Sequence, residues 1–380
     1  MSQQRVGVIG GGQLAWMMGI EAQQLGISLR VQTPNADDPA TPLADETILA
    51  PLSDLEATRK LATVCDVVTF ENEFIDLSGL SLFQDQVTFC PSLASLAPLL
   101  DKYEQRCYLQ ELGVPVPPFK SVMAGETDSY PETFPLVVKA RRHGYDGQGT
   151  FIVKEETALD EVWQTLQGRP VLLESYIPID RELAVMAARG VNGETVVYPV
   201  VETYQRDQVC QRVIAPARIS DELTQQISAI AQMLLTSLNW VGIFGIEFFL
   251  TEDHQILVNE IAPRTHNSGH YTLDACDVSQ FAMHLKAVTG ETLTAPTMNY
   301  GAAVMVNLLG YEWAEHAYQD KRQQLASFPK THVYWYGKPQ ARPGRKLGHV
   351  TVLGETIAQA SAIADQVSDI WYSQDTKQSN

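Results

Sequence analysis

Gly245–Leu250 and Ile256–Ile261 are two apolar runs separated by the polar segment Thr251-Glu252-Asp253-His254-Gln255, a pattern that predicts a β-hairpin. Each run carries one carboxylate, Glu247 and Glu260. The two lie almost equally far from the turn centre at Asp253 and His254, so they are expected to face each other across the strand pair. Like charges directly opposite destabilise a sheet. A bare carboxylate in an apolar run also costs free energy or takes up a proton. A divalent cation removes both problems, and hard oxygen donors from few side chains suit Mg²⁺ shared with substrate phosphates. A solvent-facing strand or a register slip would leave the same residues as harmless acids.

The rest of the chain holds groups that such a pair could work with. Lys139 ends an apolar strand over Leu136–Lys139, and Gly144-Tyr145-Asp146-Gly147-Gln148-Gly149 follows with three glycines in six residues. A strand lysine is a point charge for phosphates, and a glycine-rich loop can fold over them through backbone N–H groups. Taken singly, the lysine could instead snorkel to solvent. Glu174-Ser175-Tyr176-Ile177 is a short edge able to bond an adenine through its backbone, and Glu182 can accept from ribose hydroxyls. The plain alternative is a strand end with a surface acid. After Glu260, Arg264, His266, Asn267, Ser268 and His270 crowd into seven residues, which suits a polar small-molecule pocket. Asn-Ser-Gly between the two histidines argues against the helix that a zinc-binding pair needs. Arg342-Pro343-Gly344-Arg345-Lys346 puts three cations in five residues, either a phosphate site or a solvated basic turn.

Composition bounds the partners. The chain has 380 residues, enough for two or three domains, and a net charge of -18, which disfavours nucleic acid and anionic membranes. Five scattered cysteines without CxxC fit free thiols in a reducing cytosol. The chain opens directly on a strand pattern and has no apolar run of membrane-spanning length, so a cytoplasmic protein is expected. The first hundred or so residues alternate strand and helix signals, as in a parallel α/β unit. Gly113–Pro118 is a proline-rich boundary. Gly10, Gly12 and Ala15 fit the strand–GxGxxA–helix turn of a dinucleotide fold. The next strand, however, ends Arg30-Val31-Gln32-Thr33-Pro34, without the acid that would hold a ribose.

The order Lys139, glycine-rich loop, Glu174 and Glu182, Glu247 and Glu260 resembles the ATP-grasp superfamily. Asn259–Thr272 (NEIAPRTHNSGHYT) followed by Arg342–His349 (RPGRKLGH) is similar to the signature of the 5-(carboxyamino)imidazole ribonucleotide synthases, the ATPase-subunit type of phosphoribosylaminoimidazole carboxylase. The likeness runs from Arg5 to the tail helix. It implies an α/β and α+β chain with a pre-ATP-grasp domain over 1–112, an ATP-grasp domain over 113–298 with a lid near 118–180, and a small β-rich domain over 299–380. It implies ATP, Mg²⁺ and bicarbonate as reactants or cofactor, carboxyphosphate as intermediate, and aminoimidazole ribonucleotide as acceptor in purine biosynthesis. A homodimer is the usual assembly.

Carried over residue by residue, Lys102 and Lys139 would hold phosphates. Gly144 to Gly149 would be a mobile lid that places Tyr145 and Asp146 by the acceptor, and these residues with Thr150 would bind the nucleotide. Glu174, Ser175, Tyr176, Ile177 and Glu182 would hold adenosine, and Glu247 and Glu260 would bind Mg²⁺ with Asn259 nearby. Arg264, His266, Asn267, Ser268 and His270 would face bicarbonate or the acceptor. Arg342, Arg345, Lys346 and the turn Gly12-Gln13-Leu14 would hold the ribonucleotide phosphate, and Glu71 and Glu73 the imidazole ribonucleotide. Gln205 stands where some members carry a nucleotide-contacting histidine, and Ala15 and Trp16 replace a glycine and an arginine. Rival readings are a formate-using glycinamide ribonucleotide transformylase, a non-catalytic nucleotide-binding regulator, a biotin-dependent carboxylase and an NAD-dependent oxidoreductase.

Overall fold

Short apolar runs separated by helices cannot pair as hairpins, so they stack in parallel. β1 (Arg5–Ile9), β2 (Ser28–Thr33), β3 (Glu46–Leu49), β4 (Val67–Phe70) and β5 (Thr88–Phe89) form a parallel sheet in the order β3-β2-β1-β4-β5. The computed structural model describes residues 3–123, 134–142 and 149–373. The expected lid residues Gly144, Tyr145, Asp146, Gly147 and Gln148 lie outside that set.

A second sheet is antiparallel: β6 (Phe119–Val122), β7 (Leu136–Ala140), β8 (Thr150–Val153) and β9 (Val171–Ser175), in the order β6-β9-β7-β8. Leu136, Val138, Val153, Trp163, Val171 and Leu173 give it a core of its own. The third and largest sheet takes β10 (Ile179–Arg189), β11 (Thr195–Val197), β12 (Val201–Arg206), β13 (Val209–Ala215), β14 (Gly242–Thr251), β15 (Ile256–Ala262), β16 (Ala302–Leu309), β17 (Thr331–Trp335) and β18 (Lys346–Gly354). Its order is β15-β14-β10-β12-β13-β16-β18-β17, with β11 paired to β10. β11 and β12 are separated at Pro199, which has no N–H to give a ladder. The pairing of β13 with β16 carries the sheet unbroken across the expected boundary at 298/299. The C-terminal β-rich unit is thus an extension of the central sheet, closed by the helix Ile357–Tyr372 and its buried Trp371.

Helices seal the faces. Asp221–Ser237 shows burial at Ile227, Ile230, Leu234 and Leu235, an apolar stripe at helical spacing that packs on β10 and β11. The helix Gln280–Thr289 bridges two bodies. Its Phe281, Leu285 and Val288 share a core with Val6, Val8, Met17, Met18 and Leu29 of the N-terminal unit, joined by Tyr336 from the far end of the chain. His284 is buried at the same junction, 2.8 Å from Thr69 Oγ1, and its Nδ1 accepts from the Ile243 N–H at 3.2 Å. Among the described residues no helix is long and apolar enough to cross a membrane, and no cysteine pairs in a disulfide.

Candidate active site

A cavity of about 600 Å³ opens where the antiparallel sheet, the large sheet and the N-terminal unit meet. Its floor is the hairpin of β14 and β15. Glu247 and Glu260 are register partners on neighbouring strands. Phe248 pairs with Val258, which leaves Asn259 as an extra residue in β15. Simple alternation would send Asn259 and Glu260 to opposite faces. The bulge lets both line the cavity. Asn259 donates to Glu247 Oε2 at 3.3 Å and accepts from Lys139 Nζ at 2.9 Å. Lys102, the first residue of the helix Lys102–Glu111, is ion-paired with Glu260.

The two carboxyls therefore differ. Burial, then the Glu260 charge, push the Glu247 carboxyl above its ordinary value. Burial pushes Glu260 up as well, but the charge and hydrogen bond of Lys102, with Lys139 and Arg106 behind it, hold it low. Two carboxylates and an amide oxygen on one edge of an open cavity fit a hard cation that keeps sites for phosphate oxygens.

Glu174 lines the cavity on the strand edge expected to meet adenine through its backbone, and its buried side chain has a second set of partners. It accepts from Arg106 Nε at 2.5 Å and pairs with Lys139 Nζ at 2.7 Å. Burial would raise this carboxyl; the charges of Lys139 and Arg106 overcome it and bring it to about 2. The Glu174 side chain thus anchors the lysine, which leaves its backbone edge for the nucleotide. Arg106 escaped sequence reading; its only signal is a second cation one helical turn after Lys102 on the same face.

Ser175, Tyr176, Ile177, Glu182, Thr203, Gln205 and Phe249 line the far end of the cavity, and Thr150 its rim. Burial and the Glu247 charge push Glu182 up to about 7 from an ordinary 4.5. Between those values the folded chain keeps a proton that the unfolded chain has lost. The group's contribution to stability is whole below pH 4.5 and is lost as pH rises through about 7. Glu182→Gln is expected to flatten that slope and raise the melting temperature at pH 7.5 by roughly 2–4 °C. Thermal melts from pH 4.5 to 8 check it; parallel wild-type and variant curves would refute the assignment.

The loop after β15 brings the polar run together. Arg264 makes a two-pronged contact with Glu73, at 2.7 and 3.1 Å. His266 Nε2 stands 3.7 Å from Glu247 Oε1, and burial with the Arg264 charge lowers its pKa to about 3. Arg264, His266, Asn267, Ser268 and His270 all line the cavity. Asn267, though, spends its amide on a reciprocal pair with Asn307 of β16, at 2.7 and 3.0 Å. It fixes the loop to the large sheet.

In the N-terminal turn, expected to hold the ribonucleotide phosphate, Glu71 at the end of β4 takes part of the amides, accepting from Gly12 N at 2.7 Å, Leu14 N at 3.0 Å and Ala15 N at 3.3 Å. A carboxylate from within the chain thus takes the positive end of the helix Gln13–Leu25. A Cβ at Gly12 would fall 2.6 Å from that carboxylate, so the glycine lets Glu71 approach the turn closely. Gln13, Leu14, Glu71 and Glu73 still line the cavity. Of the basic turn, Lys346 lines it, whereas the Arg345 guanidinium donates to the Gln340 carbonyl at 2.7 Å and Arg342 is not among the lining residues.

Three stretches match known domain families: residues 3–98 the ribonucleotide synthetase preATP-grasp domain, 107–281 the ATP-grasp domain, and 303–363 the phosphoribosylaminoimidazole carboxylase C-terminal domain. An N5-carboxyaminoimidazole ribonucleotide synthase of Synechocystis sp. is 51% identical, the alignment covering 97% of this chain and 98% of that protein. The solved N5-carboxyaminoimidazole synthetase of Staphylococcus aureus complexed with ADP superposes with a TM-score of 0.89 at 34% identity, covering 97% of each chain. The N5-carboxyaminoimidazole synthase of Aspergillus clavatus in complex with ADP and 5-aminoimidazole ribonucleotide gives a TM-score of 0.88 at 32% identity, covering 97% of this chain and 98% of that one.

Proposed function

This chain belongs to the N5-carboxyaminoimidazole ribonucleotide synthase family, and from that membership we propose how its own residues carry the reaction. It is an ATP-grasp ligase that carboxylates the exocyclic amine of 5-aminoimidazole ribonucleotide with ATP and bicarbonate, in purine biosynthesis. An oxygen of bicarbonate attacks the γ-phosphorus, the bond to the bridging oxygen breaks, and ADP leaves. The amine then attacks the carbonyl carbon of carboxyphosphate, phosphate leaves, and the nitrogen gives up a proton.

Bicarbonate is a weak, solvated nucleophile, so catalysis rests on positioning and charge neutralisation. Glu247, Glu260 and the Asn259 amide oxygen would hold Mg²⁺, which when bound neutralises phosphate oxygens. Lys139 and Lys102 meet the phosphates as point charges. Ser175 to Ile177 offer backbone groups to adenine, and Glu182 and Gln205 reach the ribose. Arg264, His266 and His270 face the anionic reactant, and Glu73 keeps the Arg264 fork in one plane. Lys346 holds the ribonucleotide phosphate. A homodimer belongs to the same reading on the family resemblance, and a cytoplasmic location on the free cysteines.

The observation that carries the proposal is the convergence of the Glu247–Glu260 pair, Lys139 and the loop Arg264–His270 on one cavity. Phosphate release measured with each substrate omitted in turn tests it. Release is expected to need Mg²⁺ and to be fastest with bicarbonate and the ribonucleotide together; release supported by formate in place of bicarbonate would sink it. Lys346→Ala is expected to raise the ribonucleotide KM about tenfold or more, since a charge-assisted contact contributes about 1.5–3 kcal/mol. Arg345→Ala, whose guanidinium serves Gln340, should do less. The reverse ranking would move the phosphate site.

A further inference from the structure

Gln280 opens the helix Gln280–Thr289, is fully buried, and stands behind the cavity rather than in its lining. Its amide can be oriented from its neighbours. The His266 backbone N–H can only donate, so the atom 2.9 Å from it is the carbonyl oxygen Oε1. The His266 carbonyl can only accept, so the atom 2.8 Å from it is the amide nitrogen Nε2. That nitrogen is also 3.0 Å from His270 Nδ1. An amide nitrogen has two hydrogens to give and no lone pair to offer. His270 Nδ1 must therefore accept, and the ring proton sits on Nε2. Among the described residues the ring's hydrogen bond is at Nδ1 alone, and His270 lines the cavity, so Nε2–H is left for a ligand.

The same amide shapes the loop. A Cβ at Gly269 would lie 2.7 Å from Gln280 Oε1, so only glycine lets the chain close over it. Thr272 Oγ1 accepts from the Gln280 backbone N–H at 2.9 Å and donates to the Gly269 carbonyl at 2.6 Å. The start of the helix and the loop are thus tied at four points.

We propose that Gln280 is a positioning residue that holds His270 as its Nε2–H tautomer, so that the loop offers the reacting anion a neutral hydrogen-bond donor and not a base. The part concerning the anion rests on the function proposed above. Bicarbonate arrives already ionised. A base would have no proton to remove from its attacking oxygen, whereas a donor can orient it and follow the charge as it moves. Burial also drives the His270 ring well below its usual pKa, which agrees with a neutral imidazole.

The test reads the imidazole nitrogens of ¹⁵N-histidine-labelled protein without substrate, with His270→Asn used only to assign the resonance. A protonated Nε2 and bare Nδ1 are expected. A proton on Nδ1, or on both nitrogens, overturns the proposal. Gln280→Glu replaces the donating nitrogen by an acceptor of the same shape. The ring should then move its proton to Nδ1 and turn a bare Nε2 to the cavity. kcat is expected to fall about a hundredfold, as for loss of one oxyanion donor, with the ATP KM unchanged. A normal kcat, or a ring that keeps its Nε2 proton in this variant, overturns the proposal, and if the variant does not fold the wild-type spectrum decides alone. The spectrum does not depend on which substrate the cavity takes, so its failure is separate from failure of bicarbonate-dependent phosphate release.

Discussion

Glu247→Gln and Glu260→Gln are each expected to lower turnover by at least about a hundredfold, the scale of one strong electrostatic element, while shifting stability in opposite directions. Both variants keep side-chain shape and remove one charge from the cavity wall. Glu247 is half-buried and faces the Glu260 charge, and its carboxyl is held above its ordinary 4.5. Neutralising it relieves a cost present at every pH above that value, so the melting temperature should rise by roughly 2–4 °C, or about 1 kcal/mol. Glu260 is held low by Lys102. Its neutralisation strands that lysine and should lower the melting temperature by a similar amount. Paired kinetics and thermal melts at pH 7.5 check both. Normal turnover in either variant would remove the metal role; equal shifts in stability would remove the asymmetry between the strands.

Glu174→Gln should be the most damaging single change to stability among the residues described. It leaves Lys139 and Arg106 as buried cations around a neutral amide. Breaking a buried pair costs about 3–5 kcal/mol. The wild-type carboxyl lies at about 2 against an ordinary 4.5, so its contribution is whole above pH 4.5 and is lost as the pH falls through about 2. The variant should therefore lose its deficit relative to wild type in acid. Lys139, already drawn down by burial, loses the partner that keeps it charged, and the ATP KM should rise about tenfold or more. Denaturant melts at pH 7 and pH 3 with ATP kinetics measure all three. A variant as stable as wild type at neutral pH would show that the triad is not holding the cleft.

Much of the site is legible in the sequence. The hairpin and its two carboxylates are local facts, although the pairing of Glu247 with Glu260 also needs the extra residue Asn259. The roles that changed depend on distant partners. Glu174 looks like a strand-edge acid until Arg106, 68 residues earlier, comes within 2.5 Å. The Gly12–Leu14 turn looks vacant until Glu71 arrives from β4, 59 residues on. The Asn259 bulge breaks the two-residue period on which strand reading depends. The β13–β16 pairing joins segments separated by the whole β14–β15 hairpin, which no local pattern announces. Gln280 carries no motif at all; its meaning is set by the backbone of His266.

The bridging helix also bears on how the protein is made. The first hundred residues contain five strands and would be finished early in synthesis. Their apolar face is not closed from within, because Phe281, Leu285, Val288 and Tyr336 complete that core. A ribosome delivers those side chains only after most of the chain has been extended. The N-terminal unit therefore emerges with Met17, Met18 and Leu29 beside an unfilled space, and stays so until the helix Gln280–Thr289 docks. Exposed apolar surface of this kind is what chaperones bind and what drives misassembly. Order of birth and order of completion run opposite ways in this fold: the segment made first is among the last to be sealed.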